Sequence, residues 1–170
     1  MNVIYAVISS PGEGFGCFST TTIPAGTLIL SEKPLFSVRE PRTNAAVSAA
    51  FAELSDVQQT QYLALHAVDS TATYDARIID IFNSNAWQTE SRTSICLSAA
   101  RFNHSCIPNA SFAWNAVLKQ VTVHAIKHIP ANTQINLSYE RPYQTREARQ
   151  QKLSAYGFSA NGRPRWKNQS

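Results

Sequence analysis

The sequence predicts a single α+β domain, mostly β, and three observations carry that reading. Short apolar-alternating runs recur along both ends of the chain, a helix-patterned block at about 41–84 interrupts them, and the 170 residues are 44% apolar and 15% charged. That composition belongs to a globular chain long enough to bury one sizeable core, and the length fits one domain better than two.

Taken in order, Val3 to Ser9, Gly16 to Thr21 and Thr27 to Ser31 read as three short strands. Ile23-Pro24-Ala25-Gly26-Thr27-Leu28-Ile29 recurs almost unchanged as Ile129-Pro130-Ala131-Asn132-Thr133-Gln134-Ile135, with Asn where the first copy has Gly. Gly and Asn are the residues that best tolerate positive φ, so both copies read as one strand-turn-strand device. In the block that follows, Asn44 is placed to cap a helix over Ala45 to Glu53. Ser55-Asp56-Val57-Gln58 has the form of a capping box opening a second helix, and a third runs from Asp75 through Ile79 and Phe82. Strands return at Thr93 to Ser98, Ser111 to Trp114, Leu118 to Ala125 and Gln134 to Tyr139. A last helix, Gln144 to Ala155, ends at Gly157.

Composition also excludes several classes. No segment approaches membrane-spanning length, so no membrane partner is expected, and the N-terminal run Val3 to Ile8 is too short and lacks the basic leader of a signal peptide. Cys17, Cys96 and Cys106 are odd in number and far apart, with no Cys-x-x-Cys pair. They can build neither a disulfide framework nor a zinc cluster, which points to a reducing, intracellular setting, nuclear or cytoplasmic. The net charge of +4 is uneven: from Arg141 onward seven basic residues face one acid, giving +6, while residues 1–140 sum to −2. The basic C-terminal segment reads either as a solvated helix face with a frayed end or as a patch for an anionic partner.

The most informative stretch is Arg101-Phe102-Asn103-His104-Ser105-Cys106-Ile107-Pro108-Asn109-Ala110, followed downstream by Ile135-Asn136-Leu137-Ser138-Tyr139. Polar and small groups packed between apolar strand-like runs usually line a site. Upstream stand Glu13-Gly14-Phe15-Gly16-Cys17-Phe18, the Ile23-Pro24-Ala25-Gly26 turn, Glu32-Lys33-Pro34-Leu35, and Asn85-Ala86-Trp87 after the helical block. Together and in this order, these segments resemble the SET domain of lysine methyltransferases. The layout is closest to the SET-and-MYND branch, but without its zinc finger.

The resemblance spans nearly the whole chain. It implies a fold of small twisted sheets with a knot-like threading and a helical insert, S-adenosylmethionine as cofactor and no metal. It also implies cofactor contacts at Glu13, Gly14, Phe15, Gly16, Asn85, Asn103, His104, Tyr139, Tyr156 and Phe158. The residue types suit that chemistry, because glycine permits close backbone approach to the cofactor and side-chain amides meet its polar groups. Asn109 and Pro108 read as residues that fix the loop itself. Methyl transfer to an amine is an in-line displacement needing alignment and a water-poor channel, and Tyr139 matches the tyrosine whose hydroxyl faces the reacting methyl and amine. Tyr156 and Phe158 match aromatics flanking cofactor and lysine channel, or else simply plug a core.

Two departures qualify the resemblance. Asn132-Thr133-Gln134 replaces the common Gly-Glu-Glu, removing two acids, and Ser159-Ala160-Asn161-Gly162-Arg163-Pro164-Arg165-Trp166 lacks the cysteines that bind zinc in many relatives. With that zinc element gone, Trp166 or a partner protein is left to close the pocket. Three functional classes follow. The first is a protein-lysine methyltransferase acting on a histone or other protein. The second is a SET-like enzyme turned to methylating or cyclising a small molecule, and the third is a non-catalytic scaffold. Fold alone does not choose among them.

Overall fold

A computed structural model of the chain describes residues 3–10, 14–69 and 71–139. The expected last helix and the tail lie outside the described residues. Backbone contacts divide the chain into two compact units. Among the described residues, one takes in those within 1–31, 101–113 and 122–139, and the other those within 32–100 and 114–121.

In the first unit, β1 (Tyr5–Ser10) and β2 (Gly14–Ser19) form an antiparallel pair in which Tyr5 faces Ser19 and Ser10 faces Gly14. Cys17 and Ser19, which share a face of β2, are buried, whereas Val7, Ile8 and Phe15 remain exposed. β3 (Leu28–Glu32), β8 (Gln120–Ala125) and β7 (Ala110–Asn115) form a sheet in the order β3-β8-β7. Ile23, Phe102, Val123, Ile129, Ile135 and Leu137 are all at most 1% exposed and make the centre of this unit.

The two copies of the Ile-Pro-Ala turn pair with each other. Ile23 and Ile129 exchange both backbone hydrogen bonds, at 2.8 and 2.9 Å. Around them the bonds come in matching twos. The Gly26 amide donates to the Ala125 carbonyl and the Asn132 amide to the Ser19 carbonyl, while Ala125 donates to Thr27 and Ser19 donates to Thr133. Gly26 (φ 83°) and Asn132 (φ 57°) occupy the same left-handed position of their turns, as the substitution pattern of the repeat predicts.

The second unit holds the helices. α1 (Asn44–Ala52) is capped by Thr43, whose hydroxyl accepts from the Ala46 amide, so Asn44 is the first helical residue and not the cap. Threonine one residue earlier already has the extended φ and ψ that a cap requires. α2 (Asp56–Leu63) opens with the expected capping box between Ser55 and Gln58. α3 (Tyr74–Asn85), capped by Thr73, buries Ile78, Ile81, Phe82 and Asn85 at the spacing of one helical face. That face packs with Val38, Val47, Phe51, Tyr62, Leu65 and Ile95 into one cluster. Tyr62 is fully buried, and its hydroxyl donates to the Ile78 carbonyl at 2.7 Å; burial pushes its phenol well above the ordinary value. Phe36 stacks on Phe82 and tilts against Tyr62.

Three short strands complete this unit: β4 (Phe36–Arg39), β5 (Trp87–Thr89) and β6 (Arg92–Ile95), in the order β4-β6-β5. β4 and β5 are additions to the expected set, too short to show an alternation of their own. The Glu32 carboxylate accepts from the Ser98 and Ala99 amides and so caps the 3-10 turn Ala99–Arg101. None of the three cysteines is in a disulfide, and burial, with a smaller contribution from Glu32, pushes the Cys96 thiol up to about 12. Among the described residues no helix is long and apolar enough to cross a membrane.

The paired turns generate a stability prediction. Among the described residues nothing lies within 4 Å of a Cβ added at Gly26, so a substitution there meets backbone strain first. Gly26→Val should lower the unfolding free energy by roughly 1–2 kcal/mol in urea titration, and Gly26→Asn, which copies the other turn, by well under that. Equal losses in the two variants would show that the left-handed backbone is not the constraint.

Candidate active site

Two stretches distant in sequence run side by side in the first unit. The Leu137 amide donates to the Asn103 carbonyl at 3.0 Å and the Ser105 amide donates to the Leu137 carbonyl at 2.9 Å, which makes a parallel bridge of His104 and Leu137. Asn109 locks the pair from the other end. Its side-chain Nδ2 donates to the Gln134 carbonyl and its Oδ1 accepts from the Asn136 amide, both at 2.8 Å. The amides of Asn109 and Ala110 both reach the Asn136 carbonyl as well. Gln134 to Tyr139 is therefore held by isolated bridges to Phe18 and His104 rather than as the strand expected there, because its partners lie on two different segments.

This clamp delivers Tyr139 to His104. The Tyr139 amide donates to His104 Nδ1 at 3.0 Å, and the two rings lie 5.3 Å apart between centroids. An imidazole nitrogen that accepts a backbone N–H carries no proton of its own, so in the neutral ring the proton sits on Nε2 and is donated to Cys106 Sγ, 3.4 Å away. The Tyr139 hydroxyl donates to the Phe102 carbonyl at 2.8 Å. With its hydrogen committed there, the phenol oxygen offers lone pairs to any other neighbour. Phe102 is fully buried and rests against Tyr5, with 5.5 Å between ring centroids, so the carbonyl that fixes the hydroxyl is itself rigidly placed.

On the adjoining face, Gly16 is buried. A Cβ added there would lie 2.7 Å from Gln134 Nε2 and 2.9 Å from Asn103 Nδ2. A side chain at this position would have to displace the ends of these two amide side chains, which glycine lets close on the β2 backbone. Gly14, at φ 73°, has nothing within 4 Å of the same construction among the described residues. Arg101, half-buried next to this stretch, has its guanidinium drawn below the ordinary value by desolvation.

Of the residues expected at the site, Gly14, Phe15, Gly16, Asn103, His104 and Tyr139 fall in this one unit, with His104 bonded to Tyr139 and Asn103 set against Gly16. Asn85 belongs to the other unit, where it ends α3 and its Nδ2 donates to the carbonyls of His66 and Ile81, both at 2.7 Å. Glu13, Tyr156 and Phe158 lie outside the described residues. Sequence reasoning missed two groups. The Phe102 carbonyl is a backbone atom with no signal in residue type, and Gln134 was noted only as the loss of an acid.

Comparison with known proteins assigns the chain to a family. The sequence pattern of the SET domain matches residues 14–140, and the chain belongs to the SET-domain family. Over 158 residues it is 32% identical to the histone-lysine N-methyltransferase set5 of Schizosaccharomyces pombe, a match that takes in 91% of this chain and 48% of that protein. The chain thus spans about half the length of the curated relative it matches. A crystal structure of a candidate histone methyltransferase from Plasmodium falciparum superimposes with a TM-score of 0.52 at 16% identity, covering 84% of this chain and 98% of that one. The fold, several small antiparallel sheets with few helices, is the SET fold that the resemblance implied.

The Asn109 clamp can be tested without any ligand. Asn109→Ala removes both ends of the amide bridge and leaves a part-buried carbonyl and a part-buried amide short of partners. Stability should fall by roughly 2–4 kcal/mol, against less than about 0.5 kcal/mol for the exposed control Ser111→Ala. Near-equal midpoints for the two variants in chemical denaturation would mean that the bridge does not hold the site together.

Proposed function

We propose that this chain is the catalytic part of an S-adenosylmethionine-dependent protein-lysine N-methyltransferase with a histone lysine as acceptor, acting in the nucleus. The observation that carries the reading is the fixed Tyr139 hydroxyl, whose proton is held by the Phe102 carbonyl while its backbone is held by His104. The acceptor class is supported by the likeness to a histone-lysine N-methyltransferase.

The residues present fit the cofactor. Its amino-acid and adenosine portions need hydrogen-bond donors, acceptors and close backbone approach. Asn103 and Gln134 supply amides, His104 its backbone, and Gly14 a backbone without a Cβ. When bound, S-adenosylmethionine supplies a methyl group activated by the sulfonium. The chain's own residues then have three tasks. Asn103, His104 and Gly14 bind and orient. The buried Phe102 ring beneath the site keeps the tyrosine from shifting and helps exclude water. Tyr139 presents oxygen lone pairs, which accept an N–H of the incoming amine and attract the electron-poor methyl hydrogens, aligning nucleophile and methyl for in-line attack. A hydroxyl whose own proton stays on a carbonyl orients and polarises, and need not take up the amine's proton.

Tyr139→Phe separates this role from a packing role. Methyl transfer to a lysine-bearing histone peptide should slow by about 100-fold or more, because the lost interaction acts at the reacting centre. The dissociation constant for S-adenosylhomocysteine should stay within about threefold. Stability should drop by only about 1 kcal/mol for the single bond to Phe102. An unchanged turnover number would make Tyr139 structural, and a wild-type chain that takes up no S-adenosylhomocysteine would overturn the methyltransferase reading.

A further inference from the structure

We propose that β1 is a pairing edge for a second copy of this chain, joined antiparallel across a two-fold axis at Ile8. The inference does not depend on the methyltransferase reading and starts from the backbone of one hairpin. In the ladder of β1 and β2 the Thr20 amide donates to the Ile4 carbonyl at 3.0 Å, while on β2 it is Cys17 and Ser19 that bond outward, to Ile135, Asn132 and Thr133. Backbone polar groups of successive residues point to opposite sides of a strand. Ile4, Ala6 and Ile8 therefore turn theirs toward β2, and Val7 and Ser9 turn theirs away from it. The far side of β2 is taken by the 132–135 segment, whereas among the described residues β2 is the one strand beside β1.

An outward row of amides and carbonyls is a template for another strand, and folded proteins blunt it with charged side chains, proline or a bulge. This edge has none of the three. Val3-Ile4-Tyr5-Ala6-Val7-Ile8-Ser9-Ser10 contains no charge and no proline, and the register from Tyr5–Ser19 to Ser10–Gly14 runs without a bulge. Val7 and Ile8, on opposite faces of the strand, are 43% and 48% exposed.

Charge and symmetry select the occupant. A strand bearing Lys, Arg, Asp or Glu would set its charge beside apolar and hydroxyl groups that offer no counter-charge, whereas a second β1 brings no charge and opposes no like charges across the axis. With the axis at Ile8, Val7 of one copy lies opposite Ser9 of the second, and the outward amides and carbonyls of these two residues exchange hydrogen bonds. The symmetry repeats that exchange on the other side of Ile8. Between them Ile8 meets Ile8 of the second copy as a non-hydrogen-bonded pair, the arrangement that brings side chains closest. Within its own hairpin Ile8 is opposite Gly16, which has no side chain to cover it, so the second copy supplies the apolar neighbour that β2 lacks. One short strand from each copy buries less than the roughly 1,200 Å² of a standard interface, so the dimer forms at micromolar rather than nanomolar concentration.

Sedimentation velocity on the full chain, from about 1 to 200 μM, tests the association. The wild type should pass from monomer to dimer over that range. Val7→Lys, which puts a charge on the edge and leaves Ile8 in place, should stay monomeric throughout with its urea midpoint unchanged. Disulfide trapping reads the register. It is done in a Cys106→Ser background, because Cys106 is exposed whereas Cys17 and Cys96 are buried. Ile8→Cys should cross-link two copies under air oxidation, since the Cα atoms of a non-hydrogen-bonded pair lie about 4.5 Å apart. Val7→Cys should not, because in this register its two copies are about 8 Å apart, beyond the reach of a disulfide. A chain that stays monomeric at every concentration overturns the proposal and leaves the edge to a strand of another protein. A dimer that survives Val7→Lys, or that Val7→Cys traps as readily as Ile8→Cys, is joined elsewhere and overturns it too. Should Val7→Lys fail to fold, the two cysteine variants decide between these outcomes.

Discussion

The exchange of backbone hydrogen bonds between the two Ile-Pro-Ala turns is the constraint from which the site descends. Ile129 to Thr133 can sit only where Ile23 to Thr27 and Ser19 receive it, and the chain then runs directly into Gln134 to Tyr139. Six backbone bonds in three matching pairs fix that entry in position and direction. The cost of using one device twice is a left-handed residue in each copy, met by glycine in one and asparagine in the other.

Downstream of that entry, each fixed atom fixes the next. Asn109 ties the polar loop to Gln134 and Asn136, the bridge at Leu137 carries Asn103 and His104 alongside, and His104 takes the Tyr139 amide. The Phe102 carbonyl then holds the hydroxyl. Such a site owes its geometry to main-chain partners more than to side-chain packing, and a catalytic arrangement needs that kind of support to stay within fractions of an ångström. Gly16 plays the complementary part, being the absence of a side chain that lets two others meet.

Much of this was legible in the sequence. The polar string at Asn103, the tyrosine at the end of an alternating run, the repeat with its Gly-to-Asn exchange and the Ser55–Gln58 capping box all carry their meaning locally, in residue type and spacing. What was not legible depended on partners far away in the chain. That the Asn85 amide nitrogen serves the carbonyls of His66 and Ile81 has no signal in the residue type. Gln134 reads only as the loss of an acid until Gly16 is set against it. The segment Gln134 to Tyr139 has a strand's pattern, but its neighbours belong to two separate stretches, so it forms bridges and no ladder. β4 and β5 are too short to announce themselves.

The division of the chain also bears on the order in which the protein can come into being. The helical unit is drawn mainly from one continuous stretch, 32–100, and its cluster from Val38 to Ile95 can collapse as soon as that stretch is made. The unit carrying Tyr139 cannot, because Ile23 waits for Ile129 and Cys17 for Ile135, each across more than half the chain. Pairings of such sequence separation close slowly. During synthesis the residues from Tyr5 to Ser31 must therefore stay available, with Val7, Ile8 and Phe15 among them, until the segment from Ile129 to Tyr139 emerges. The polar string and its tyrosine become a site only when that segment joins them.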